Sequence, residues 1–132
     1  MAEKKGKMKV HAGPAARPKG EGAFSPLVDI YETADGTIVL VAEVPGARPE
    51  TVDVRVDKGV LTISAEAPVL QNEGRYTPTY IGFAGGEYFR AFALSDEVDR
   101  DRIEASLADG LLTVRLPRAA AAKTRKIEIK AG

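Results

Sequence analysis

The chain has 132 residues, of which 44% are hydrophobic, with no cysteine, one histidine, and 19 Lys/Arg balanced by 19 Asp/Glu. That leaves room for one domain with an ordinary core, and it excludes disulfides, thiol catalysis and zinc–thiolate sites while fitting a reducing compartment. The zero net charge conceals a segregation: residues 1–20 carry six Lys/Arg and one Glu, residues 118–132 carry five and one, and the segment between them is therefore acidic by nine charges. Two basic arms flanking an acidic body are expected to be drawn to bodies, their own or a neighbour's, in a salt-sensitive way.

The leader, residues 1–25, is made mostly of Gly, Pro, Lys and Ala, with Val10 and two Met as its main large apolar groups. It has too little apolar surface to order itself and is expected to be a disordered basic arm. It has no apolar h-region of the kind a secretory signal needs, and no stretch of the chain approaches membrane-spanning length. The expectation is a soluble, cytoplasmic protein with no membrane partner.

From Pro26 the texture changes to short β-rich runs separated by turn signals. Leu27 to Thr33 and Thr37 to Val44 flank Asp35-Gly36, a hairpin turn in which Gly takes a positive φ without steric cost. Thr51 to Asp57 alternates, with Val52, Val54 and Val56 on one face and Asp53, Arg55 and Asp57 on the other. That is a strand with one wet face. Lys58-Gly59 turns it into Val60 to Glu66, where Leu61 and Ile63 share a face.

Residues 67–87 form a long excursion with Pro, Asn and Gly that nevertheless carries Tyr76, Tyr80, Ile81 and Phe83. Loops of this length inside compact domains are usually functional or mobile, and a short strand reaching a partner is one reading. Tyr88 to Leu94 follows as a strand, in which alternation sets Arg90 facing away from Phe89 and Phe92. Ser95 to Arg102 is an acidic connection with a helical turn, and Ile103 to Ala108 with Leu111 to Leu116 makes a last hairpin around Asp109-Gly110. Seven strands at this spacing, without a long helix, predict an all-β, immunoglobulin-like antiparallel β-sandwich over residues 26–118. Residues 119–132 form a basic, alanine-rich extension ending in Ile127-Glu128-Ile129, two isoleucines on a tether with no hairpin partner.

Catalytic and cofactor signals are missing. His11 lies in the leader, no glycine-rich phosphate loop follows a strand, and no metal-ligand spacing occurs, so no cofactor is expected. The carboxylates Asp96, Glu97, Asp99 and Asp101 share one connection and read as a solvated acidic loop rather than an acid/base pair. Lys4, Lys5, Lys7 and Lys9 could neutralise phosphates, but without interleaved aromatics or a reading element nucleic acid is not the expected partner. Binding rather than chemistry is the expected function.

Several blocks in order resemble the small heat shock proteins, the family built on the α-crystallin domain. They are Pro26-Leu27-Val28-Asp29-Ile30-Tyr31-Glu32, Ala42-Glu43-Val44-Pro45-Gly46, Leu61-Thr62-Ile63-Ser64-Ala65 and the block from Tyr88 to Leu94. Ile103-Glu104-Ala105 then leads into Asp109-Gly110-Leu111-Leu112-Thr113-Val114, Leu116-Pro117 and the terminal I-x-I. The resemblance implies a stress-response chaperone, an ATP-independent holdase that keeps partly unfolded clients refoldable for ATP-driven chaperones downstream. It further implies a dimer in which Tyr76 to Ile81, with Tyr80 between them, lends a strand to a neighbouring sheet, and in which Arg90 forms an inter-subunit ion pair. Ile127 and Ile129 are implied to dock between Thr51 to Asp57 and Ile103 to Ala108, with Val52, Val54, Ile103 and Leu107 as groove walls. The chain departs from the family in its mostly polar arm, where Phe24 is the only aromatic, in Ser95 where proline is common, and in the weakly charged Ile81-Gly82-Phe83. A co-chaperone of the p23 kind, or an accessory subunit of a mixed assembly, is the alternative.

Overall fold

The computed structural model describes residues 6–15, 23–68 and 86–120. Within them run nine strands: β1 (Gly6–Met8), β2 (Val10–Ala12), β3 (Val28–Glu32), β4 (Ile38–Glu43), β5 (Val52–Asp57), β6 (Val60–Ala67), β7 (Gly86–Ala93), β8 (Glu104–Ala108) and β9 (Leu111–Leu116). They form two facing sheets, in the orders β1-β8-β9-β4-β3 and β2-β5-β6-β7. The fold is a β-sandwich whose described strands pair antiparallel except where β2 runs parallel to β5.

Alternation, read from the sequence for β5 and β6 and present also in β9, generates the core. Val52 and Val54 on β5, Leu61 and Ile63 on β6, and Leu112 and Val114 on β9 turn inward and are buried, while Asp53, Arg55 and Thr113 on the opposite faces remain partly accessible. The hairpins are tight because their corners suit the strand twist. Lys58 and Gly59 sit at φ 48° and 77°, and Asp109 and Gly110 at 50° and 75°, the two successive positive values that a two-residue hairpin needs. At Gly110 a Cβ would also come within 3.1 Å of Pro45 Cα, so glycine serves both the turn and the packing of the neighbouring loop. A single 3₁₀ turn, Pro49–Thr51, feeds β5, and the Thr51 hydroxyl donates to Glu66 O at 2.7 Å, fixing the start of β5 against the end of β6.

The leader departs from the expectation of a disordered arm over residues 6–12. Gly6–Met8 pairs antiparallel with β8, and Val10–Ala12 pairs parallel with β5. The composition argument concerns a segment that must order itself. Here the ordering comes from two sheet edges already built, whose unpaired N–H and C=O groups are a template for an added strand.

Candidate functional site

A two-layer sandwich has two open sides. On one, β8 of the larger sheet and β5 of the smaller are flanked by the leader strands β1 and β2; on the other the edges are β3 and β7. Both sides carry unusual traffic.

Along the first side, β5 is positioned by the 3₁₀ turn before it and β8 by a second one, Arg100–Arg102. The Asp99 carboxylate caps that turn by accepting from Asp101 N at 3.1 Å. The rest of the acidic connection is also used structurally. Arg118 pairs with Glu97 at 3.1 Å, Arg100 with Asp96 at 3.5 Å, and Ala119 N donates to Glu97 O, so the start of the C-terminal extension is anchored beside the approach to β8. Among the described residues no group of three or more His, Asp or Glu is placed to hold a metal ion, and no helix is long and apolar enough to cross a membrane.

Val52 and Val54 on β5, and Ile103 before and Leu107 within β8, all turn toward the interior and all have less than a tenth of their surface exposed. The space between the two edges is filled by the leader. Met8 stands opposite Ala105 on β8, Lys9 crosses over, and Val10 stands beside Val54 on β5. Burial alternates along this segment: Lys7 and Lys9 face solvent while Met8 and Val10 pack against the core. Gly13 N continues the pairing onto Val56 O at 3.1 Å. On the outer face of β5, Asp53 holds Arg55 at 2.6 Å and has His11 Nε2 at 4.0 Å, which places the histidine over the same edge.

Met8 and Val10 are the groove residues that sequence reasoning missed. The signal was present, because Met8-Lys9-Val10 has the same apolar–charged–apolar spacing as Ile127-Glu128-Ile129. Ile127, Ile129, Tyr76, Tyr80 and Ile81 lie outside the described residues.

On the second side, Phe24 bridges to Tyr88 at the outer edge of β7, with Phe24 N donating to Glu87 O and Phe89 N to Phe24 O. The chain then crosses through Pro26 to β3. Tyr88 is buried, its hydroxyl donates to Pro45 O at 2.8 Å, and burial pushes its phenol above the ordinary value. Arg90 lies on the same side of β7 as Phe92, because residues two apart share a face. The expectation that it turns away from Phe92 is therefore wrong. Its guanidinium stacks over the Phe92 ring at 4.9 Å and Nη1 donates to Pro26 O at 3.3 Å. Around this crossing Phe24, Leu27 and Leu111 line a cleft of about 420 Å³ with Tyr88 and Pro45. Leu27, Ile30 and Tyr31, at 73%, 56% and 57% exposure, leave the β3 margin apolar and open.

Comparison with known proteins places this geometry. The model of the Hsp20/alpha crystallin family matches residues 30–130. Heat shock protein 16 of Schizosaccharomyces pombe is 36% identical over 110 residues, 80% of this chain and 74% of its own. A probable 15 kDa heat shock protein of Leptospira interrogans is 37% identical over 109 residues, 81% of this chain and 79% of its own. Among solved structures, a small heat-shock protein from Xylella fastidiosa superposes with a TM-score of 0.65 at 34% identity, covering 83% of this chain and all of its own. The family's members are chaperones rather than enzymes, with a role under stress. The chain belongs to the Hsp20/alpha-crystallin family of small heat shock proteins.

Proposed function

We propose that the protein is an ATP-independent holdase of the cytoplasm, which binds partly unfolded proteins, prevents their aggregation, and leaves them for ATP-driven chaperones. The observation that carries this reading is the groove between β5 and β8, where a leader segment with an inward apolar pair two residues apart already packs against the core. A groove that accepts Met8 and Val10 also suits Ile127 and Ile129, which have the same spacing. Docking of one subunit's tail on another dimer would build the homo-oligomer.

Energetics favour reversible assembly. Burying two isoleucines contributes about 3 to 6 kcal/mol, and ordering each docked residue costs about 1 to 2 kcal/mol. One tail therefore binds weakly, and several linked tails bind together through effective concentration. Heat or dilution releases them and exposes apolar surface to clients.

The dimer is proposed to form at the other open side. The outer edge of β3 has no partner strand among the described residues, and its apolar margin of Leu27, Ile30 and Tyr31 suits a strand from Tyr76 to Ile81 of a neighbour. Arg90, beside the crossing to β3, is proposed to hold that interface through Pro26.

One observation favours the alternative of an accessory subunit or p23-like co-chaperone. The arm's Met8 and Val10 are already engaged against the core, which leaves Phe24 as its aromatic contact for clients. The test is light scattering of a heat-aggregating protein with this chain added and ATP omitted. Suppression at or below one subunit per client is expected; none at that ratio would overturn the holdase reading in favour of the accessory one.

A further inference from the structure

The occupant of the β5–β8 groove is the chain's own leader, and this has a consequence for when the groove is available. Met8 and Val10 reach the core from the two edges that a docking tail would need, β1 pairing with β8 over Gly6–Met8 and β2 with β5 over Val10–Ala12. The leader thus pairs with residues 105–107 of β8 and 54–56 of β5, and a second strand cannot occupy the same register. Resting on the tail-docking reading above, we infer that the leader is a built-in plug: Met8-Lys9-Val10 and the Ile127-Glu128-Ile129 of another subunit compete for one groove.

Three features support competition. The first is chemical likeness, since both segments carry two large apolar residues flanking one charged residue, in basic surroundings. The second is unequal strength. Met8 and Val10 are only half-buried, and methionine and valine present a looser pair than two β-branched isoleucines, so the plug is the weaker ligand by contact. The third is tethering. Only residues 14–23 separate Gly13, bound to Val56, from Phe24, bound to β7. A short tether gives a weak segment a high local concentration, on the order of millimolar. A tail from a separate subunit has no such advantage until an assembly forms around it.

The plug therefore dominates in dilute, unassembled subunits and yields where several tails are presented together. It also shields the two bare edges of a lone subunit, which would otherwise be templates for indiscriminate strand addition. The apparent affinity of a groove that is mostly closed falls by the fraction that is open.

The experiment uses the full chain with its own tail silenced by Ile127→Ala/Ile129→Ala, in two forms, one with the leader intact and one carrying Met8→Ser/Val10→Ser. The probe is a fluorescent peptide of residues 123–132 titrated against each, with binding read by anisotropy. The serine pair is on half-buried surface, and an unchanged circular dichroism spectrum and cooperative melt establish that it folds. The expected result is peptide binding at least about tenfold tighter to the leader variant, the change expected if the plug closes nine grooves in ten. Amide exchange at residues 52–57 and 104–108 should accelerate in that variant and slow again on adding peptide. Equal affinity in the two forms would overturn the competition while leaving tail docking intact. No binding to either form would overturn the tail-docking reading and the competition with it.

Discussion

Val10 lies in parallel register beside Val54, where β2 and β5 make the one parallel pairing among the nine described strands. Val54 is fully buried whereas Val10 is only partly buried, so the two valines at one contact serve different ends. Val54 belongs to the core that defines the domain, and Val10 to a layer added onto it. Val54→Ala should destabilise the fold by about 2 to 3 kcal/mol through lost burial and the cavity left behind. Val10→Ala should cost about 1 kcal/mol or less. Urea unfolding of the two variants checks the ordering, and equal costs would make the leader an integral part of the core.

The β3–β4 hairpin should carry an acid-sensitive clamp. The Asp35 carboxylate accepts from the Thr33 hydroxyl and from Thr37 N, and these hydrogen bonds lower its pKa from 3.8 to about 2, the Thr33 side chain contributing most. Because the folded value lies below the unfolded one, the clamp's contribution is complete above about pH 4 and is lost as pH falls toward 2. Melting temperature followed from pH 5 to pH 2 should fall more steeply for the wild type than for Asp35→Asn, which has no proton to take up.

Tyr88→Phe removes the one hydroxyl that donates to Pro45 O and keeps the ring against Phe24. A lost buried hydrogen bond costs about 0.5 to 1.5 kcal/mol, with the stranded carbonyl adding to it. Denaturant unfolding should show that loss with an unchanged slope, and hydrogen exchange should quicken around Pro45.

Arg90 joins β7 to the crossing that leads into β3. Arg90→Ala should cost about 1 to 2 kcal/mol, from the stacking on Phe92 and the hydrogen bond to Pro26 O. Arg90→Lys should recover little of it, since an ammonium lacks the planar fork that stacks and donates at once. Dimer dissociation measured by dilution should shift with Arg90→Ala; a dimer indifferent to it would remove Arg90 from the interface.

Most of the sandwich was legible because it rests on two local signals. Period-two alternation marked β5 and β6, and the Asp109-Gly110 and Lys58-Gly59 corners marked hairpins whose positive φ values the structure bears out. The leader was not legible as strand, since three-residue segments such as Gly6–Met8 draw their order from long-range edge pairing rather than from their own sequence. The relation between Arg90 and Phe92 was available from strand periodicity and was misread. Its tie to Pro26, 64 residues away, was not available at all. Val52, Val54, Ile103 and Leu107 are expected as groove walls from resemblance alone, and their burial follows from alternation. That the leader lies between them follows from neither.

Assembly is proposed to depend on the β5–β8 groove receiving Ile127 and Ile129. Its most direct test is the mass of the particles formed by wild type and by Ile127→Ala/Ile129→Ala, measured side by side by chromatography with light scattering. Assemblies larger than a dimer in the wild type and dimers in the variant are the predicted result. Particles of unchanged mass in the variant would contradict the account and move assembly to another surface.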